Sequence, residues 1–208
     1  MKRTLLIGSI LSLMALTVHA DIFGFDTVTT NSPLNSTIAG QMFMDANVMG
    51  AGMSSVGFTN IGPLASTVTE IYFGSDEALN LNLDSLIYCS PGVDFDITGA
   101  TPANPPGMND FGNWWTITIA AAEATQSPAQ NGIDPFECLE LQVSYDGSLS
   151  FSELIQFGQL QVALHVISLP DGESETFVNG TEVIPEPASL VLIGVSGSLI
   201  AFVRRRFI

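Results

Sequence analysis

Short segments in which apolar and polar residues alternate run through the middle of this sequence, and residues that favour turns separate them. Leu139, Leu141 and Val143 alternate with polar residues, and the same pattern returns from Leu160 to Val166. A period of two places successive side chains on opposite faces of a strand, so each segment is predicted to be half buried. The sequence therefore predicts a mainly β domain, an antiparallel β-sandwich.

The remaining elements of this domain follow from local signals. Strands are predicted within 56–62, 66–75, 85–90, 92–99, 113–120, 136–147 and 159–169. One short helix is predicted at 150–157, because Ser150 and Glu153 have the spacing of a capping box and Gly158 follows as a stop. The segments 99–111 and 125–135 are rich in Pro, Gly and Asn and are predicted to be connecting loops.

The first twenty residues have the parts of a secretory signal peptide. Lys2 and Arg3 precede an apolar run from Leu5 to Val18, and Ala20 precedes a cleavage site before Asp21. The alternative is a permanent N-terminal membrane helix. Both interpretations predict export through the inner membrane.

The last part of the sequence is typical of a membrane anchor. Residues 188–203 carry no charge, and as a helix they would cover roughly 24 Å. Arg204, Arg205 and Arg206 follow directly and are expected to stay on the cytoplasmic side, which leaves the preceding domain outside. A transmembrane helix is therefore predicted, and the alternative is a buried C-terminal helix of a soluble domain.

Pro185, Glu186 and Pro187, followed by this apolar helix and the arginine cluster, resemble the PEP-CTERM sorting signal. That signal occurs on exported proteins of Gram-negative bacteria, often those that make extracellular polysaccharide. The resemblance implies processing by a membrane enzyme of the exosortase type and a place at the cell surface, in the outer envelope or in the extracellular matrix. The sequence is then divided into a signal peptide (1–20), an exported domain (21–183) and a sorting signal (184–208).

Charge is distributed very unevenly along the chain. The five basic residues are Lys2, Arg3 and Arg204–Arg206, whereas all 21 acidic residues lie in the segment 21–186. Nucleic-acid binding is excluded for the exported domain because it depends on Lys and Arg. The acidity is interpreted as a source of solubility or, alternatively, of divalent-cation binding.

No cofactor is predicted, and calcium is the alternative considered, with the loop residues Asp171, Glu173 and Glu175 as candidate ligands. Their spacing does not match an EF-hand, because the glycine of this loop stands second rather than sixth. Cys89 and Cys138 are predicted to form a disulfide, since an even pair in an exported domain usually does. Two unpaired buried thiols are the alternative.

Catalytic chemistry has few residues available. His165 is the one histidine of the exported domain, no Gly-x-Ser-x-Gly motif is present, and a multi-histidine zinc site is impossible. His165 is predicted to lie on the solvent face of its strand. The function predicted is a non-enzymatic structural or interaction role. The alternatives place the domain on exopolysaccharide as its partner. One is a carbohydrate-binding module of the matrix that uses Trp114 and carboxylates, and the other is a glycoside-active enzyme that uses the pair Asp94 and Asp96 or the pair Asp76 and Glu77.

Overall fold

The computed structural model describes residues 20–75, 79–97, 105–107, 118–125 and 128–184. These residues contain three short helices, α1 (Asn35–Ala39), α2 (Pro128–Asn131) and α3 (Phe151–Gln156). They also contain ten strands: β1 (Asp21–Thr27), β2 (Met42–Gly50), β3 (Met53–Asn60), β4 (Thr67–Ser75), β5 (Asn82–Cys89), β6 (Phe95–Asp96), β7 (Thr118–Ala124), β8 (Glu137–Ser144), β9 (Leu160–Ile167) and β10 (Glu175–Ile184).

All ten strands belong to one antiparallel sheet, in the order β5-β8-β3-β2-β1-β10-β9-β4-β7-β6. The prediction of a mainly β, antiparallel domain is confirmed. The sheet curls far enough to bring β5 and β7, which lie near its two ends, into contact. It is a single sheet rather than the two separate sheets of the predicted sandwich, because β1 and β10 pair with each other and join its two halves.

One face of the sheet, the core face, carries a continuous apolar cluster. Phe58, Phe73 and Phe151 are buried at its centre, and their rings meet edge to face with centroids 6.3 and 6.4 Å apart. Such ring contacts add to the free energy gained from burying apolar area. The alternation predicted for β8 and β9 is confirmed, since Leu139, Leu141, Val143 and the even-numbered residues from Leu160 to Val166 lie in this cluster.

The opposite side of the sheet, the back face, carries a second and smaller apolar cluster. It consists of Tyr72 on β4, Ala121 on β7, Ala163 on β9 and Val178 on β10, and all four side chains are buried. Their neighbours along each strand point to the core face, as the pleat requires. This part of the sheet is therefore covered on both faces.

Helix α3 begins where the sequence predicts it. The Ser150 hydroxyl accepts a hydrogen bond from the Glu153 backbone N–H, and the Glu153 carboxylate accepts one from the Ser150 backbone, so the capping box is formed. The expectation of one helix was wrong, because α1 and α2 are also present. Helix α2 lies within the predicted loop 125–135, and four residues are too few to show a helical repeat.

Candidate functional site

His165 lies in a row of polar residues on the back face. Strand register places it opposite Glu70 on β4 and opposite Thr176 on β10, and Glu70 is in turn opposite Glu123 on β7. Residues that face each other across strands have Cβ atoms about 4.5–5.5 Å apart. The histidine points away from the core, as the alternation predicts, but only 18% of its side-chain surface is exposed.

Glu70 is the centre of a hydrogen-bonded network in this row. One of its oxygens, Oε2, accepts hydrogen bonds from the Tyr72 hydroxyl and from His165 Nδ1, the latter at 2.9 Å. The bond from His165, more than that from Tyr72, holds the pKa of the Glu70 carboxyl below its usual range. Burial, with the neighbouring carboxylate, raises the pKa of Tyr72 far above its ordinary value. The network therefore keeps Glu70 ionised and Tyr72 protonated.

Thr176, His165 and Glu70 stand in the order hydroxyl, imidazole, carboxylate on three neighbouring strands. A nucleophile activated by histidine must be within hydrogen-bond reach of the free ring nitrogen. The Thr176 hydroxyl is buried and has no hydrogen-bond partner among the described residues, so this contact is not formed. The hydrogen-bonded part of the row therefore consists of His165, Glu70 and Tyr72.

The predicted calcium ligands are bound to their own chain. The Asp171 carboxylate accepts a hydrogen bond of 2.5 Å from the Ser32 hydroxyl, which lowers the pKa of this carboxyl, and one of 3.2 Å from the Glu173 backbone N–H. Glu175 is fully buried and accepts hydrogen bonds from the Ser32 backbone N–H and the Thr29 hydroxyl. These hydrogen bonds connect the segment after β1 with Asp171 in the loop before β10 and with Glu175 at the start of β10.

Glu173 is exposed and does not join the carboxylates of Asp171 and Glu175 around a common point. Within the described part of the chain, no group of three or more His, Cys, Asp or Glu side chains is arranged to hold a metal ion. The calcium site at this loop stays a prediction. In the structure two of its three acids, Asp171 and Glu175, accept hydrogen bonds from Ser32 or Thr29.

The acidic pair Asp94 and Asp96 lies at the end of the sheet. Both side chains are exposed and alternate with the buried Val93 and Phe95, but strand β6 contains only Asp96 of the two. The Asp94 carboxylate accepts a hydrogen bond from the Thr125 hydroxyl, and Asp96 is paired in register with Glu123. The second pair, Asp76 and Glu77, and the candidate sugar-stacking residue Trp114 lie outside the described residues.

Cys89 and Cys138 lie on the adjacent strands β5 and β8, and both are free thiols in the structure. Burial is the main reason that the pKa of Cys89 is raised, and Asp94 contributes to the shift. The Cys138 sulfur lies 3.5 Å from the Ser90 hydroxyl. The disulfide stays a prediction, now between residues that the fold brings onto neighbouring strands.

The sequence features at both ends lie outside the described residues. These are the signal peptide before Ala20, the motif Pro185–Pro187, the apolar run 188–203 and the cluster Arg204–Arg206. Among the helices of the described part, none has the length and apolar character needed to cross a membrane.

Two features of this geometry were missed from the sequence. Glu70 and Tyr72 have the spacing that places both on one strand face, so the sequence could have indicated that they are close. The contact of Glu70 with His165, however, joins positions 95 residues apart. The bond from Ser32 to Glu175 spans 143 residues and has no local signal.

No protein-family model matches this sequence, and neither a curated protein nor a solved structure matches it.

Proposed function

We propose that this protein is an exported cell-surface or extracellular-matrix protein with a non-enzymatic structural or interaction role, sorted through its C-terminal PEP-CTERM-like signal. The observation that carries the proposal is the placement of all five basic residues beside two terminal apolar runs, with none among the residues between them. This is the arrangement of a chain that enters the export pathway at one end and stops in the membrane at the other.

The bounds of the folded domain support this proposal. Strand β1 begins at Asp21, directly after the predicted signal peptide, and β10 ends at Ile184, directly before Pro185. Both terminal segments can therefore be processed without cutting into a strand. Two consecutive X-Pro steps disfavour helix and sheet pairing, which suits a segment that a protease must reach.

The use of carboxylates in the domain favours a structural role over a catalytic one. Asp94, Asp134 and Glu175 each accept a hydrogen bond from a threonine hydroxyl, and Asp84 and Asp171 each accept one from a serine hydroxyl. A domain without Lys or Arg cannot satisfy its carboxylates with strong ion pairs, so hydroxyl and amide donors take that place. Acids engaged in this way hold the fold together.

The mature termini test the proposal. The protein is expressed in its Gram-negative host, the surface-exposed form is isolated, and its ends are determined by mass spectrometry after digestion with a glutamate-specific protease. Trypsin is unsuitable because no Lys or Arg lies between Arg3 and Arg204. We expect an N-terminus at Asp21 and a C-terminus near Pro185–Pro187. A surface form that retains Arg204–Arg206 would contradict exosortase-type processing.

A further inference from the structure

The first and last strands of the folded domain, β1 and β10, are paired neighbours in the sheet. Ile22 on β1 is paired in register with Ile184 on β10, and both strands lie in the middle of the sheet. The segment that begins at Pro185 therefore starts at the same end of the sheet as Asp21. We call this the tail end of the domain.

The β2–β3 hairpin extends past the start of β1 at the tail end, to the level that the end of β8 also reaches. Asp21 is paired with Ala46, and β2 continues for four more residues to Gly50 before the chain turns back into β3. At this tip Val48 and Met49 are 60% and 52% exposed. No charged residue occurs between Asp45 and Glu70, so the whole tip is uncharged. We call residues 47–53 the hairpin tip.

The conformation of the hairpin tip is fixed by the rest of the domain. Gly52 has a φ of +64°, and its carbonyl accepts a hydrogen bond of 2.9 Å from the Tyr145 backbone N–H. The rings of Tyr145 and of Phe151 pack against each other inside the core cluster. The exposed apolar side chains at the tip are therefore held in place rather than left on a free loop.

The length of chain between the end of β10 and the uncharged run is similar to the distance that the hairpin tip extends along β2. Ile184 and Asp45 are both paired with Ile22 and so lie at one level of the sheet, and Val48 and Met49 lie three and four residues beyond it, about 10 and 13 Å at roughly 3.3 Å per residue. The four steps from Ile184 to Ala188, where the uncharged run begins, span at most about 14 Å of extended chain. If that run is embedded in a bilayer, the hairpin tip lies at the level where the bilayer begins.

We propose that the hairpin tip, through Val48 and Met49, contacts the lipid surface in which the C-terminal tail is anchored. The proposal rests on the membrane stop at the C-terminus given under Proposed function, and it concerns the chain before the tail is cut near Pro185–Pro187. Two apolar side chains are too few to hold a free protein on a membrane, since even one myristoyl chain binds only marginally. A tether changes this, because the tail keeps the tip at a high effective concentration next to the bilayer.

The charge of the domain specifies the kind of lipid. The tail end also carries Asp146 and Glu153, both exposed, and no basic residue lies between Arg3 and Arg204 to attract an anionic headgroup. The contact is therefore apolar and fits zwitterionic lipid, and anionic lipid should weaken it by repulsion.

The test uses the full chain in phosphatidylcholine vesicles. A photo-crosslinking amino acid is placed at Met49, and a matched sample carries it at Phe136, which is 76% exposed at the opposite end of the sheet. After flotation and illumination, the adducts are identified by mass spectrometry. We expect a phospholipid adduct at position 49 and at least about fivefold less at position 136, because the tether holds the tail end, and not the opposite end, next to the bilayer.

A second variant changes the tether and leaves the domain intact. Inserting a flexible Gly-Ser segment of about twenty residues between Ile184 and Pro185 lets the domain move roughly 25 Å from the membrane. The adduct at position 49 should then fall several-fold. In phosphatidylglycerol vesicles it should also fall.

Each outcome has a definite meaning. A chain that does not float with the vesicles overturns both the anchoring role and the tip contact. If the chain floats but position 49 gives no more adduct than position 136, only the tip contact is overturned. A cross-link between two copies at position 49 would assign the tip to self-association and would also overturn the lipid contact.

Discussion

At the scale of single residues, the buried acids show how this domain compensates for the lack of basic side chains. Glu175 is fully buried and Glu70 is 30% exposed, and no arginine or lysine occurs in the sequence between Arg3 and Arg204. Glu175 accepts hydrogen bonds from a hydroxyl and a backbone N–H, and Glu70 from a hydroxyl and an imidazole. Hydrogen bonds to an ionised group are stronger than neutral ones, so a few donors satisfy each carboxylate.

Replacing Glu175 should destabilise the domain much more than replacing its neighbour Glu173. In Glu175→Gln one acceptor oxygen becomes an amide donor, which conflicts with either the Ser32 N–H or the Thr29 hydroxyl. We expect the free energy of unfolding to fall by about 1–3 kcal/mol. Glu173→Gln, at an exposed position of the same loop, should change it little. Urea denaturation of the two variants measures the difference, and equal values would contradict the anchoring role of Glu175.

The Glu70 network should make stability depend on pH in the acid range. The pKa of Glu70 is lowered in the folded protein, while an unfolded glutamate titrates near about 4.3. The folded state therefore binds this proton less readily, and the stabilisation is fully present above the unfolded pKa and lost as pH falls through the folded pKa. The unfolding free energy lost in Glu70→Gln should be largest near neutral pH and shrink below about pH 4.

Denaturation curves of the wild type and of Glu70→Gln across this pH range measure that loss. Tyr72→Phe is the control, because it removes one of the two donors and should reduce the pH dependence only in part. A difference between wild type and Glu70→Gln that is constant from neutral to acid pH would show that the network does not stabilise the ionised carboxylate.

At the scale of elements, the β2–β3 hairpin shows why one glycine is required and another is not. A Cβ at Gly52 would lie 2.4 Å from the Tyr145 carbonyl oxygen, and its φ of +64° is unfavourable for other residues. A Cβ at Gly50 would meet nothing within 4 Å. The two positions are two residues apart in the same turn.

We expect Gly52→Ala to destabilise the domain by about 1–3 kcal/mol, because it adds backbone strain and a steric clash. Gly50→Ala should be neutral or slightly stabilising, since it reduces the conformational freedom of the unfolded chain at no steric cost. Thermal unfolding of both variants decides the point. If the two melting temperatures shift equally, the turn does not have the geometry described.

At the scale of the whole molecule, net charge and topology set the main constraints. The domain carries its acids without Lys or Arg, so long-range repulsion opposes the compact state. Local contacts counteract this repulsion. Hydrogen bonds lower the pKa of Glu70, Glu153 and Asp171, which means that they stabilise the ionised carboxylates in the folded state. Stability therefore combines local stabilisation of single carboxylates with a repulsion that salt can screen.

Raising the NaCl concentration from about 0.01 to about 0.1 M should raise the melting temperature by several degrees, as the Debye length shortens from about 30 to about 10 Å. Calcium at equal ionic strength should give the same shift if the acids of the loop at Asp171 stay engaged with Ser32 and Thr29. Differential scanning fluorimetry in the two salts measures both effects. A melting temperature that falls with added NaCl would contradict net repulsion in the folded state.

The sequence by itself determined the class of the fold, and the signals at its two ends stay predictions. Period-two alternation is a local pattern, so β8, β9 and the side chains they bury could be assigned without a structure. The capping box at Ser150 could be assigned for the same reason, because a helix start depends on residues within one turn.

Only the tertiary structure decided how the strands join and which polar groups meet. Strands β1 and β10 were not predicted, and they turn two expected sheets into one by pairing residues that lie more than 140 positions apart. The acids at 171 and 175 accept hydrogen bonds from Ser32 and Thr29, and no local pattern in the sequence indicates these contacts. Such pairings depend on the register of distant strands, and register is fixed by the global burial of apolar faces rather than by any local pattern.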